Sequence, residues 1–477
     1  MPVRCKGRML SLRLFAQFET CGDQLPVTGD FSNRRLNSRF FRVLCLLSGP
    51  AVLFFFINGV KALWLSFLPP YIFMKDMVQD WLLAKALLSG IYPYDPSPVL
   101  AARFLGAWSE FVILHHPSPH PPIAAIAALP LGLLSCRQAA FAWLGFELMC
   151  MGVSVYLVLK WWGEASLRWA TGLTILLIAW APFGEGLLFG QSNTLVLLLL
   201  ICAWQTERQW LCGVFIGCSL AIKFMGWPIL LFCLLRKKWR VAGAAFAVLI
   251  AGHIAAVLVM EADPVLFYYS KVIGSVDAIY RFADGNFSVW SLGWRMFVGV
   301  SGPFKQSINV LPLFANAPMA LPVSFFLTIV FAAGGMILAL KRRDSDVAWA
   351  LLFCLSAVTG PISWIHYLVL LLPPAAVILK RIMGLGFPLG QTAIWFLLML
   401  LLLVPDSMLN GLAAFFDLQP SGFGPVTVSF WAGLLTLMPL AVTLGMMAFV
   451  YQTGKTMPPG FCSPGMPREG KGARYYD

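Results

Sequence analysis

The feature that most constrains this chain is the recurrence of long apolar runs. They lie near 43–64, 122–136, 139–160, 169–188, 190–204, 211–235, 240–260, 319–340, 347–364, 366–380, 386–405 and 428–451. About 20 apolar residues let a helix cross the hydrocarbon core of a bilayer. Inside that core every backbone N–H and C=O must be satisfied within the protein, which favours helices. The pattern therefore predicts an all-α polytopic bundle of about 10–13 transmembrane helices. Only 12% of the residues are charged, about half the share found in a soluble domain. A net charge of +13 in such a chain speaks to topology and to anionic lipid, not to nucleic acid.

Lys and Arg in short loops set the orientation. The tail at 1–42 holds eight basic and three acidic residues, and the tail at 452–477 holds four and two. RKKWR at 236–240, KRR at 341–343 and Lys380-Arg381 are the other basic clusters. Alternating helices place all of these in the cytoplasm and leave two long extracytoplasmic loops, about 65–121 and 261–318, flanking and interrupting a membrane domain at 43–451. Function concentrates in loops held by a rigid scaffold. This scheme leaves Lys160 and Arg168 outside. A second reading breaks 211–235, which contains Gly226 and Pro228, into two half-helices meeting near Lys223, and so shifts the middle of the topology.

No Walker A motif and no Gly-rich dinucleotide loop is present, which argues against ATP-driven and nicotinamide chemistry. The eleven cysteines sit mostly in apolar runs without C-x-x-C spacing and read as small core residues. The first apolar run is followed by no small-residue cleavage site, so it is expected to stay as a membrane helix.

Ionisable and polar groups in or beside a membrane are costly and become candidates for function. In KDMVQDWLLAKALLSGIYPYDP, Asp76 and Asp80 stand four apart, on one face of a helix. Such a helix at the interface suits a general base, and equally suits a solvated surface. Gln191 and Asn193 in FGQSNT need a partner, either another helix or a sugar hydroxyl. Lys223 lies deep in its run, to snorkel or to meet a phosphate. His366 in SWIHY falls at a junction of two runs, where helix packing and catalysis are both open. HHPSPHPP gathers three of the five histidines with four prolines. Prolines lacking N–H donors fix an extended strip where a loop re-enters the membrane. His116 and His120 in that strip then bind sugar or phosphate, or serve loop packing; a metal site is disfavoured, because the spacing does not converge.

The order of these elements resembles glycosyltransferase family 87. It runs from an Asp-bearing helix leading to G-x-x-PYDP, through a Pro-Pro turn before PLGLLS, GQ-x-N, and A-x-K-x-x-x-x-P followed by R-K-K-W-R, to S-W-x-H-Y, over roughly residues 70–375. That family comprises polytopic GT-C-type enzymes transferring a sugar, typically mannose, from a polyprenyl-phosphate donor. The resemblance implies a bacterial inner-membrane enzyme with its active site on the extracytoplasmic side, a glycan or glycolipid acceptor, and no cofactor. The family's usual acidic residue lies about fourteen positions before the glycine of A-L-L-x-G, which points to Asp76. Asp80 stands where the family often has an aromatic residue, so the choice between the two stays open. HHPSPHPP also replaces a tyrosine-rich version of the turn.

The implied mechanism has Asp76 or Asp80 deprotonate an acceptor hydroxyl, which attacks the anomeric carbon with inversion. The polyprenyl phosphate leaves with its electron pair and needs positive charge and hydrogen-bond donors, for which Lys223, His366 and Arg281 are candidates. A flippase or transporter for lipid-linked sugars would use the same polar groups without a base, and a non-catalytic scaffold in envelope assembly is a third reading.

Overall fold

The computed structural model describes residues 31–72, 76–106, 116–163, 167–301, 307–417 and 426–456. Most of the basic N-terminal tail and of the C-terminal tail lies outside this set, as does His115. The described residues form a helical bundle. Six helices are long and apolar enough to cross a membrane: Arg39–Leu65, Cys136–Trp162, Trp239–Met260, Ala317–Leu340, Ile365–Gly384 and Phe430–Gly454. Two further pairs, Ala170–Ala179 with Ala181–Phe189 and Leu389–Leu401 with Asp406–Phe416, bend by 69° and 93° at their breaks. Shorter apolar helices, Asn193–Gln205, Gln209–Ile222, Phe224–Leu235 and Ser345–Val358, complete the bundle. This is a multi-pass membrane protein.

Burial separates centre from rim. Every residue from Val347 to Val358 is buried, whereas Leu46, Leu258 and Phe326 are 73%, 80% and 64% exposed. Apolar surface on that scale is tenable against lipid and not against water. Close helix contact comes from small residues. Gly213 and Gly217 are four apart on the 209–222 helix, and a Cβ at either would meet the Val241 or Ala245 carbonyl oxygen at 2.2 or 2.8 Å. That is the small-xxx-small approach that substitutes for a hydrophobic drive in lipid.

Two sequence expectations change. The run at 122–136 does not form a spanning helix. It folds as Pro122–Ala127 and Leu129–Gly132, separated at Ala128 before Pro130, and leads into Cys136–Trp162 through a Ser135/Gln138 capping box. The run at 211–235 is not one helix either. Gln209–Ile222 stops at Lys223, whose backbone is extended (φ −144°, ψ 133°), and the chain turns through Phe224–Gly226 into Trp227–Leu235 with Pro228 in the first turn. The half-helix alternative is therefore the one adopted. Together the two changes gather the basic loops, Lys160 included, at one end of the bundle. Lys380 donates to the Trp161 carbonyl (3.2 Å), Gln205 to Leu157 (3.1 Å), and Arg236 to Arg342 (3.1 Å). The alternating scheme had put Lys160 on the far side.

The other end is a cap of short elements. Met77–Leu88 packs on Leu129–Gly132, where a Cβ at Gly132 would meet Ala84 Cβ at 2.9 Å. Trp81 Nε1 donates to the Leu134 carbonyl (3.1 Å) and Lys85 Nζ to that of Gly132 (3.2 Å). Within the 261–318 region, Ile308–Val310 pairs in parallel with Val426–Val428.

Candidate active site

Asp76 starts the Met77–Leu88 helix and faces the bundle end. Its N–H donates to the Phe189 carbonyl (2.7 Å), which ties the helix start to the turn after Ala181–Phe189. That turn closes on Gly190 in the left-handed region (φ 61°), a conformation glycine adopts without strain. It delivers Gln191 to the carboxylate: Gln191 Nε2 donates to Asp76 Oδ2, and Gln79 Nε2 donates to Oδ1 (3.3 Å). Burial pushes the Asp76 pKa above the ordinary aspartate value, while positive charge on His120 and Lys223 opposes that rise and Asp80 adds to it.

Lys223 reaches the same place because its helix ends there. Nζ donates to Gln191 Oε1 and to Asn193 Oδ1 (2.9 Å), and lies 4.9 Å from the Tyr367 ring centroid. The Gln191 amide is thus oriented by a donor on one side and an acceptor on the other, which bridges Lys223 to Asp76. Asn193 Nδ2 donates to the His366 carbonyl (3.1 Å). The His366 ring lies tilted against Phe189 and edge-to-face with Tyr367, at centroid distances of 6.2 and 5.1 Å, and its Nε2 is buried with no hydrogen-bond partner among the described residues. A buried unpaired ring nitrogen facing a polar cluster is a cue for a ligand group.

The proline strip lies beside this cluster, held by tyrosines. Tyr94 Oη donates to the His120 carbonyl (3.0 Å), Tyr268 Oη to that of Pro119 (2.9 Å), and Ser97 N to that of His116 (3.0 Å). His116 Nε2 pairs with Tyr280 Oη (3.0 Å), and burial lowers the His116 pKa. His120 Nδ1 meets Asp80 Oδ1 at 2.5 Å. Both rings therefore already have protein partners. No group of three or more His, Cys, Asp or Glu side chains among the described residues is arranged to hold a metal ion.

Of the residues singled out in the sequence, Asp76, Gln191, Asn193, Lys223 and His366 are linked in one network, with Asp80, His116 and His120 alongside. Arg281 is engaged elsewhere: it pairs with Asp277 one turn earlier and stacks 4.8 Å from the Trp294 ring. The sequence reading passed over Gln79, Tyr280 and Tyr367. It also passed over a buried network behind His366, in which Arg295 donates to Thr436 Oγ1 (2.8 Å) and to the Asn286 carbonyl (3.1 Å). Asn286 Oδ1 accepts from Ser363 N (3.0 Å) and so fixes the irregular segment entering His366. Glu147 and Glu185 were overlooked too, although a carboxylate within an apolar run is itself a signal.

A family profile described as Glycosyltransferase family 87 matches residues 119–364. Among curated proteins, the chain is 28% identical over 344 residues to a polyprenol-phosphate-mannose-dependent alpha-(1-2)-phosphatidylinositol pentamannoside mannosyltransferase of Mycolicibacterium smegmatis, covering 70% of this chain and 77% of the relative. A protein of the same name from Mycobacterium tuberculosis is 25% identical over 261 residues, covering 54% and 57%. An alpha-(1->3)-arabinofuranosyltransferase of Mycobacterium tuberculosis is 29% identical over 156 residues, covering 31% and 36%. No solved structure matches. The profile match contains Gln191, Asn193 and Lys223, begins after Asp76 and Asp80, and ends at Trp364, just before His366.

Proposed function

The chain belongs to glycosyltransferase family 87 and is a membrane glycosyltransferase, and from that premise we propose that it transfers mannose from a polyprenyl-phosphate donor to a glycolipid acceptor on the extracytoplasmic face of the cell membrane. The observation carrying this reading is the convergence of Asp76, Gln191, Lys223, Asn193 and His366, from separate stretches of chain, at the end of the bundle opposite the basic loops. The positive-inside bias assigns the basic end to the cytoplasm. Donor and acceptor chemistry is inferred from the names of the mycobacterial mannosyltransferases.

In this mechanism Asp76 takes the proton from the acceptor hydroxyl. The hydroxyl oxygen bonds to the anomeric carbon from the face opposite the phosphate, and the C–O bond to phosphate breaks with its electron pair leaving on the polyprenyl phosphate. The leaving group needs no proton at neutral pH. Developing negative charge is met by the Lys223 ammonium and by His366 Nε2. Lys223 spends two of its three N–H groups on Gln191 and Asn193, so its contribution is mainly field rather than a dedicated contact.

The test is direct. Purified protein in lipid nanodiscs, given synthetic polyprenyl-phosphate mannose and a glycolipid extract of the host membrane, should yield a mannosylated lipid and free polyprenyl phosphate. Arabinofuranose transfer from the corresponding donor, with none of mannose, would replace the sugar assignment. Movement of donor across the bilayer without cleavage would support a flippase instead.

A further inference from the structure

The Met77–Leu88 helix and its start carry two carboxylates one turn apart, Asp76 and Asp80. Two ionised carboxylates so placed repel, and each raises the proton affinity of the other. They are not treated alike by the fold. Asp76 is held by two neutral amides, Gln79 and Gln191. Asp80 is capped by an imidazole, His120 Nδ1, at 2.5 Å, from a residue forty positions away. That imidazole does not arrive by chance flexibility of a loop. The prolines stiffen its backbone, and Tyr94 and Tyr268 pin the carbonyls of His120 and Pro119.

We propose that His120 is a positioning residue that pairs with Asp80 and offsets its charge, so that Asp76 remains the one carboxylate of this face without an ion-pair partner and acts as the base. This rests on the reading of Asp76 as the base and adds what makes the two aspartates unequal. The groups facing Asp76 are Lys223 from the break after the 209–222 helix, His116 and His120 from the proline strip, Tyr280, Tyr367, and Asp80 from its own helix. Those facing Asp80 are His120, Lys223 and Tyr94. Within this set Asp80 raises the proton affinity of Asp76 and His120 lowers it. Loss of the imidazole therefore removes the charge that offsets Asp80 at this face and raises the proton affinity of Asp76.

The experiment titrates Asp76 without substrate. Full-length protein in nanodiscs is followed by pH-difference infrared spectroscopy in the carboxylic C=O stretch, the Asp76 band being the one lost in Asp76→Asn. In His120→Gln, which retains an amide to meet Asp80 but no charge, the midpoint should rise by on the order of one pH unit. His120→Lys, which restores a cation, should keep the midpoint near that of the unaltered protein. Asp80→Asn in the His120→Gln background should lower the midpoint again from that of His120→Gln. A midpoint unmoved in His120→Gln, or one that Asp80→Asn fails to lower in that background, overturns the proposal. Because no sugar donor is present, failure of these shifts is distinct from failure of the glycosyl-transfer reading, which turnover reports.

Discussion

Lys223 shows how much one side chain can hold at this site. It supplies charge-assisted hydrogen bonds to Gln191 and Asn193, and each such bond contributes about 1.5–3 kcal/mol. Lys223→Met leaves both acceptors buried without that donor and removes a cation that favours the ionised form of Asp76. Donor affinity is expected to fall, by less than the about 1.5–3 kcal/mol of a direct charge-assisted hydrogen bond, measurable by titrating the synthetic donor into protein that is still folded. The pH–rate profile carries a second signature. A base must be ionised, so kcat/KM falls as pH drops through the Asp76 pKa, which burial holds above the ordinary aspartate value. In Lys223→Met that acidic limb should move further up in pH. An unchanged limb with unchanged affinity would reduce Lys223 to packing. The sequence exposed this residue because a lysine deep in an apolar run is costly wherever it lies. What it concealed was the partner: nothing in the spacing of Gln191 and Lys223 tells that one amide bridges the ammonium to a carboxylate in a different loop.

At the scale of elements, the break at Lys223 was written in Gly226 and Pro228, because proline in the first turn starts a helix more readily than it continues one. The shortness of 122–136 was legible in the same way, from its length and from Pro130 inside it; what it packs on was not, and the close approach of Gly132 to Ala84 supplies that. The contact of Gln209–Ile222 with Trp239–Met260 offers a test with an internal control. Gly213→Val and Gly217→Val put a side chain into backbone carbonyls of the facing helix and should lower thermal stability in detergent sharply, since overpacking costs about 1–3 kcal/mol or more. Gly243, on the facing helix, has nothing within 4 Å of where a Cβ would lie. Gly243→Ala should be neutral or stabilising by up to about 1 kcal/mol, from helix propensity alone. Equal losses at Gly243 and Gly217 would contradict the close-approach account. The Asp80–His120 and His116–Tyr280 pairs belong to this scale too. They join residues far apart in the chain through the tyrosine-clamped strip, so the sequence offered the histidines without saying what they touch.

For the whole molecule, two ends of opposite character define the working arrangement: a basic end drawn together through Lys380, Arg236 and Arg342, and a capped end holding the polar network. The orientation predicts opposite labelling on a cysteine-free background. A cysteine at Pro98 should react with an impermeant reagent in intact cells, and one at Lys237 only after permeabilisation; the reverse pattern would invert the site. The central claim, that this network is a glycosyl-transfer site with a carboxylate base, is reached most directly by turnover of purified Asp76→Asn with polyprenyl-phosphate mannose and the glycolipid extract. A general base contributes about 10²–10⁴-fold. The account predicts a loss of that size in Asp76→Asn, with donor binding retained, and a milder loss in Asp80→Asn. Near-normal turnover in Asp76→Asn, with or without Asp80→Asn added, would contradict it.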